Sequence, residues 1–171
     1  MSLALRLAAL LTATTALTAA AQAQDYGPYG YGGGGMGGYG FDWDGFYAGV
    51  YGGGVAFGET SLNAGVFTGV NVSLDSAVFG VEAQLGADFA DDSTSFDALV
   101  LGKGGMAFGD ALAYATGGLG VVSGDWGYAV GGGVDYGFTD YMSVRGEVLG
   151  TGQWGDMPDD MRVSAGVAFH M

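Results

Sequence analysis

The chain has 171 residues, no cysteine, 37 glycines and 18 acidic against four basic residues, for a formal net charge of −14. That length suits one domain plus a processing segment, the acidity excludes a basic face for nucleic acid, and the lack of cysteine excludes a disulfide framework or thiolate metal site. Only 13% of residues are charged and the mean hydropathy is +0.31, yet no apolar run of helix-spanning length follows the N-terminus, so the apolar surface must belong to something other than a membrane helix.

Residues 1–23 run from Arg6 through a Leu/Ala/Thr core to Ala21, Gln22 and Ala23, the order of a secretory signal peptide cleaved before Gln24. Loss of Arg6 leaves three basic against 18 acidic residues, or −15. Residues 25–40 read DYGPYGYGGGGMGGYG, a Gly/Tyr low-complexity stretch without apolar periodicity. The Gly-rich backbone is costly to order, so 24–43 is expected to be a flexible N-terminal segment and 44–171 the folded domain.

From Phe46 onward, apolar residues recur at every second position over eight segments, the mark of strands with one oily face. The first, 46–57, is Gly-rich and aromatic. Segment 62–74 sets Leu62, Val66 and Val70 against Asn63, Gly65 and Asn71, and 77–89 sets Phe79, Val81 and Leu85 against Glu82, Gln84 and Asp88. Segment 96–108 alternates less cleanly, because Leu99 and Leu101 share a face with Asp97 and Lys103. Segment 111–122 is apolar and broken by glycine; 126–138 opposes Asp135 to Trp126, Val130 and Tyr136; 142–152 opposes Ser143, Arg145 and Glu147 to Val144 and Val148. The last, 161–171, carries Val163, Ala165, Val167, Phe169 and Met171 on one side and Arg162, Ser164 and His170 on the other. Each could cross a bilayer as a tilted strand, which takes roughly 9–11 residues.

Asp75-Ser76 and Gly109-Asp110 read as two-residue turns, which keep their flanking residues in phase. After Phe138 the phase slips, and a three-residue connection, 139–141, is needed to keep Arg145 and Glu147 off the oily face. The other connections, 58–61, 90–95, 123–125 and 153–160, are longer and polar. Aromatic residues gather at both ends: Phe46, Tyr47, Phe108, Phe138, Tyr141 and Phe169 by the short turns, and Phe57, Phe89, Phe96, Trp126 and Trp154 by the loops. Two aromatic girdles with short turns at one end are features of outer-membrane barrels. The expected fold is therefore all-β, an eight-stranded antiparallel up-and-down transmembrane β-barrel.

All three basic residues that survive export, Lys103, Arg145 and Arg162, fall on the inward face. By height along the strands, Glu82, Lys103, Asp135, Arg145 and Glu147 are expected to form one lumen network, and Arg162 with Asp88 and Asp97 a second. An eight-stranded barrel has an interior that side chains fill, and charges buried there must be paired, so these residues read as structural ionic plugs. Inward glycines such as Gly65, Gly69, Gly131 and Gly133, with acids outnumbering bases, leave a narrow cation-preferring path as the alternative.

Residues 44–54, DGFYAGVYGGG, resemble the first strand of the small outer-membrane surface-antigen barrels of Gram-negative bacteria, porin-like relatives of the OmpA transmembrane domain. Residues 103–110, KGGMAFGD, with 114–118, YATGG, resemble that family's central hairpin; 131–140, GGGVDYGFTD, with Arg145 and Glu147, resemble its sixth and seventh strands. The resemblance covers roughly 44–171. It implies location in the cell outer membrane, contact with its lipid and lipopolysaccharide, and insertion by the barrel-assembly machinery, which reads an alternating C-terminal strand, here Val163, Ala165, Val167, Phe169 and Met171. The family pattern usually ends on an aromatic, whereas Phe169 is followed here by His170 and Met171.

The functional expectation is a monomeric structural or surface-antigen protein of the envelope, with no cofactor, metal centre or nucleic-acid partner. The alternatives are a small, weakly cation-preferring porin-like channel and a secreted Gly-rich self-assembling protein. No enzyme is expected: the single histidine, His170, has only Asp140 and Ser143 near its end of the barrel, and a lone terminal histidine is ordinarily inert. The loop acids Asp91, Asp92, Asp156, Asp159 and Asp160 read as a solvated acidic surface, with hard-cation binding to lipopolysaccharide as the lesser reading.

Overall fold

A computed structural model describes residues 40–57, 61–90, 93–122, 124–153, 158 and 160–171. The signal segment, nearly all of the Gly/Tyr stretch, Trp154 and the loop acids other than Asp160 lie outside the described residues. Eight strands follow in order: β1 Gly45–Phe57, β2 Leu62–Leu74, β3 Ala77–Ala90, β4 Ser93–Phe108, β5 Ala111–Val122, β6 Asp125–Thr139, β7 Met142–Gln153 and β8 Asp160–His170. Each pairs antiparallel with the next, and β8 pairs back onto β1, so the sheet closes. Closure removes the two sheet edges that an open array of these Gly- and Val-rich strands would expose.

The two-residue turns after β2 and β4 are present. In each, the first central residue alone has positive φ, 59° at Asp75 and 65° at Gly109, the pattern of a II′ hairpin. The connection after β6 differs from expectation. Thr139 stays in the ladder opposite Met142, and the slip is taken up one residue earlier, where the register jumps between Gly137 and Thr139. Phe138 is the extra residue of a β-bulge, which restores the inward phase of Arg145 with a two-residue turn. The loops at the other end are also shorter than expected, because Ala90 pairs with Ser93 and Val122 with Asp125. Polar Ser and Thr residues there extend the ladder, so the contrast in loop length survives only at the β1–β2 and β7–β8 connections.

The alternation puts large apolar side chains outside: Leu62, Phe96, Phe108 and Trp126 are 65–71% exposed. Glu82, Lys103, Asp135, Arg145 and Glu147 are 2–6% exposed and line the interior. Tyr47 corrects the girdle assignment. It is 1% exposed and points into the lumen, while its neighbour Phe46 does not. The domain boundary moves as well, since Trp43, assigned to the flexible segment, is 3% exposed and packs with Val78, Leu112, Tyr114 and Phe41.

Candidate functional site in the barrel lumen

At the level of Arg145 the lumen is crossed by one continuous set of charge-assisted hydrogen bonds. Asp135 on β6 stands directly opposite Arg145 on β7. It accepts Arg145 Nε at 2.9 Å and Nη2 at 3.1 Å, a bidentate contact. Arg145 Nη1 reaches across to both Glu82 oxygens on β3, at 2.9 and 2.7 Å. Lys103 on β4 donates to Asp135 at 2.8 Å, with its ammonium 3.8 Å from the centre of the Tyr114 ring. The guanidinium of Arg145 lies 4.2 Å from the centre of the Phe67 ring, so its face is covered too.

Polar neutral groups complete the layer. Tyr47 donates to Glu82 at 2.7 Å, and Tyr114 donates to Glu147 at 2.8 Å. Gln84 Nε2 donates to both Glu82 (2.8 Å) and Glu147 (3.0 Å). Two cations thus meet three carboxylates, and Glu147 is held by hydrogen bonds from Gln84 and Tyr114 rather than by either cation. Strands β1 to β7 all contribute to this layer. Nearer the loops, Arg162 on β8 holds Asp88 at 2.9 Å and also contacts Asp97. The residues grouped from strand height in the sequence are therefore adjacent in space, in the same two sets. Phe67 was not singled out from the sequence, Tyr114 entered only within the 114–118 stretch and Tyr47 was placed in the outer girdle, although the phase of all three matches that of the charged residues on their own or neighbouring strands.

Inward glycines seat aromatic rings. A Cβ on Gly69 would lie 2.5 Å from the Tyr47 hydroxyl, one on Gly65 2.6 Å from that of Tyr51, and one on Gly133 2.6 Å from that of Tyr114. Gly65, Gly69 and Gly133, read in sequence as room for water, are instead filled by tyrosines. A Cβ on Gly131 would meet strand backbone. Pairing large with small side chains is how a narrow barrel fills its interior.

At the short-turn mouth, Ser143 Oγ lies 3.0 Å from His170 Nε2. Ser143 is fully buried, and His170 is bracketed by Phe41 and Trp43 edge-on and by Tyr47 stacked at 5.5 Å. Asp140, the other group near His170 in sequence, makes no described hydrogen bond to it. Besides Ser143, the described side-chain contacts of His170 are to these three rings. The outward residues Val163, Phe169 and Met171 are 44%, 51% and 73% exposed, and the Met171 N–H donates to Phe46 O at 2.9 Å.

The arrangement can hold register and fill the lumen. No family model matches the sequence, and no curated protein matches it. Among solved structures, a chain described as "De novo design of transmembrane beta-barrels" is similar at 14% identity and a TM-score of 0.58, covering 76% of this chain and 98% of that one. The S-type phycobiliprotein lyase CPES from Guillardia theta covers 75% of this chain and 88% of its own, at 10% identity and a TM-score of 0.36. The first likeness is one of fold: a closed eight-stranded antiparallel barrel resembling a transmembrane β-barrel.

Proposed function

We propose that the chain is an outer-membrane β-barrel of the Gram-negative envelope, exported through a cleaved signal peptide, with a structural and surface-antigen role, no catalysis and a lumen closed to ions. The observation that carries this reading is the inside-out distribution of side chains. Among the described residues, fourteen polar or charged residues are buried and 25 large hydrophobic residues are exposed. Facing water, an outer wall of this kind would cost about 25 cal/mol for each Å² left unburied; facing acyl chains, it is matched to its solvent. The wall contacts outer-membrane lipid and lipopolysaccharide, the barrel-assembly machinery reads the outward row from Val163 to Met171, and the folded unit is a monomer.

The lumen supports the structural role over transport, because rings and ion pairs occupy the space a pore would need. The test has two parts. An unboiled sample should migrate on SDS gels as a compact band that boiling shifts, and the protein should fractionate with membranes; full solubility without detergent would overturn the reading in favour of a secreted Gly-rich assembly. In planar bilayers the barrel should pass no steady current at low voltage. Steady cation-preferring current would favour the channel reading, for which the surplus of Glu82, Asp88, Asp97, Asp135 and Glu147 over three lumenal cations is the supporting feature.

A further inference from the structure

The ion-pair layer is not the only closure in the lumen. Residues 40–43 turn across the short-turn mouth before the chain enters β1. Their pattern alternates, with Phe41 and Trp43 packed inward and Asp42 and Asp44 exposed at the rim. Asp42 accepts the Asp44 N–H at 3.1 Å, and Asp44 accepts the Ser73 N–H at 3.0 Å, so the segment is pinned to the end of β2. Gly45 makes the turn into the barrel at φ 103°, where a Cβ would stand 2.9 Å from Met171 O. Only glycine takes that conformation without strain.

Inside the mouth, Phe41 occupies the place a Cβ on Gly137 would need, and a Cβ on Gly40 would touch the Gly109 backbone at 3.0 Å. Phe41 and Trp43 lie 4.5 Å apart by ring centroids and 4.7 and 5.6 Å from His170. Behind them are Ser143 and Tyr47, and beyond Tyr47 the Arg145 layer. The buried Trp43 Nε1 has no hydrogen-bond partner among the described residues. The inner part of the segment is thus held by apolar packing on rings and on Val78 and Leu112, and an unpaired buried N–H subtracts from that packing.

The geometry points to an aromatic strap: residues 40–43 seal the short-turn mouth in front of the ion-pair layer, which Trp43 touches through Tyr114, so the lumen carries two closures in series, and withdrawal of Phe41 and Trp43 opens a vestibule that ends at that layer. This goes beyond the envelope role and rests on it only for the choice of bicelles and of the folding check; a failed folding check speaks against the envelope role, whereas unequal or equal thiol rates in folded protein speak to the strap.

The absence of native cysteine makes the strap directly testable. Ser143→Cys places a thiol behind the strap and Ala129→Cys places one beyond the ionic layer, in the apolar cluster with Leu99 and Leu149. With the folded barrel in bicelles and a cationic methanethiosulfonate reagent in the water, the Ser143→Cys thiol should react slowly. In the Phe41→Gly/Trp43→Gly background it should react at least about a hundredfold faster, the scale expected from losing one buried and one half-buried aromatic side chain. Trp43→Phe should keep most of the protection, and Ala129→Cys should stay unreactive in both backgrounds. Heat-dependent gel migration verifies that each variant is folded. Should the double variant not fold, iodide quenching of Trp43 in a Trp126→Phe/Trp154→Phe chain reads the same closure, and shielded emission is expected. Equal Ser143→Cys rates with and without the strap, or free quenching of Trp43, would overturn the inference; reaction of Ala129→Cys in the strapless chain would overturn the second closure.

Discussion

The two ionic clusters share a motif, one guanidinium between two carboxylates, to which the Arg145 layer adds Lys103 and Glu147, and they end in different states. Around Arg145 the remaining lone pairs of Glu82 and Glu147 are taken by Tyr47, Tyr114 and Gln84. Around Arg162 the matching is less complete: Asp88 Oδ1, Asn63 Oδ1 and Arg162 Nε have no hydrogen-bond partner among the described residues. The difference lies in the tyrosines. Tyr47 and Tyr114 sit over Gly69 and Gly133 with hydroxyls aimed at carboxylates, whereas Tyr51 lies over Gly65 and Gly86 with no described bond to Asp88 or Asp97. Charge alone places an ion pair in a barrel; neutral donors decide whether it becomes a rigid crosspiece or a cluster that still needs solvent.

The most direct way to break that comparison is to remove each guanidinium. Arg145→Met leaves Glu82 without a cation and Asp135 with Lys103 alone, and the loss of an ion partner from a fully buried pair costs about 3–5 kcal/mol. Arg162→Met removes a cation whose side chain and Asp88 partner retain some exposure, 10% each, so a smaller loss of about 1–3 kcal/mol is expected. Urea unfolding in lipid vesicles measures both, and equal losses would refute the contrast. The next effect in size isolates the tyrosines. Tyr47→Phe and Tyr114→Phe each delete a hydrogen bond to a buried carboxylate, worth about 1.5–3 kcal/mol, whereas Tyr51→Phe deletes no described bond and should fall below about 1 kcal/mol.

Much of this was legible in the residues. The strands, the inward phase of Lys103, Arg145 and Arg162, and the split between the two clusters follow from period-two alternation counted from the turns, because a strand advances each side chain by a fixed rise and flips its face at every step. What escaped is what alternation does not encode. Tyr47 has Phe46 beside it in a Gly-rich strand, and two adjacent aromatics do not say which faces lipid. The bulge at Phe138 shifts phase by one residue, as a longer turn would, so sequence could locate the slip without identifying its cause. Phe41 and Trp43 precede the alternating region and follow a Gly/Tyr run, so nothing in their own stretch marks them as interior. The glycines misled most: a missing side chain looks like space until the ring that occupies it is known to come from another strand.

That last point gives the smallest effect and the one whose sign is most informative. Gly133 and Gly146 lie close together across the β6–β7 ladder, where Gly133 pairs with Glu147 and Val134 with Gly146. A Cβ on Gly133 would meet the Tyr114 hydroxyl at 2.6 Å and Gly146 O at 2.5 Å, while one on Gly146 would meet nothing within 4 Å. Gly133→Ala should therefore cost about 1–3 kcal/mol by overpacking the lumen, and Tyr114→Phe should cost less in that chain than in the parent, since it removes one of the three colliding atoms. Gly146→Ala should instead stabilise by about 0.5–1 kcal/mol, because alanine loses less backbone entropy than glycine on entering a strand and nothing opposes it. If both substitutions proved neutral, Gly133 would not be a seat for Tyr114, and the hydroxyl that holds Glu147 would owe its position to something other than the missing side chain beneath it.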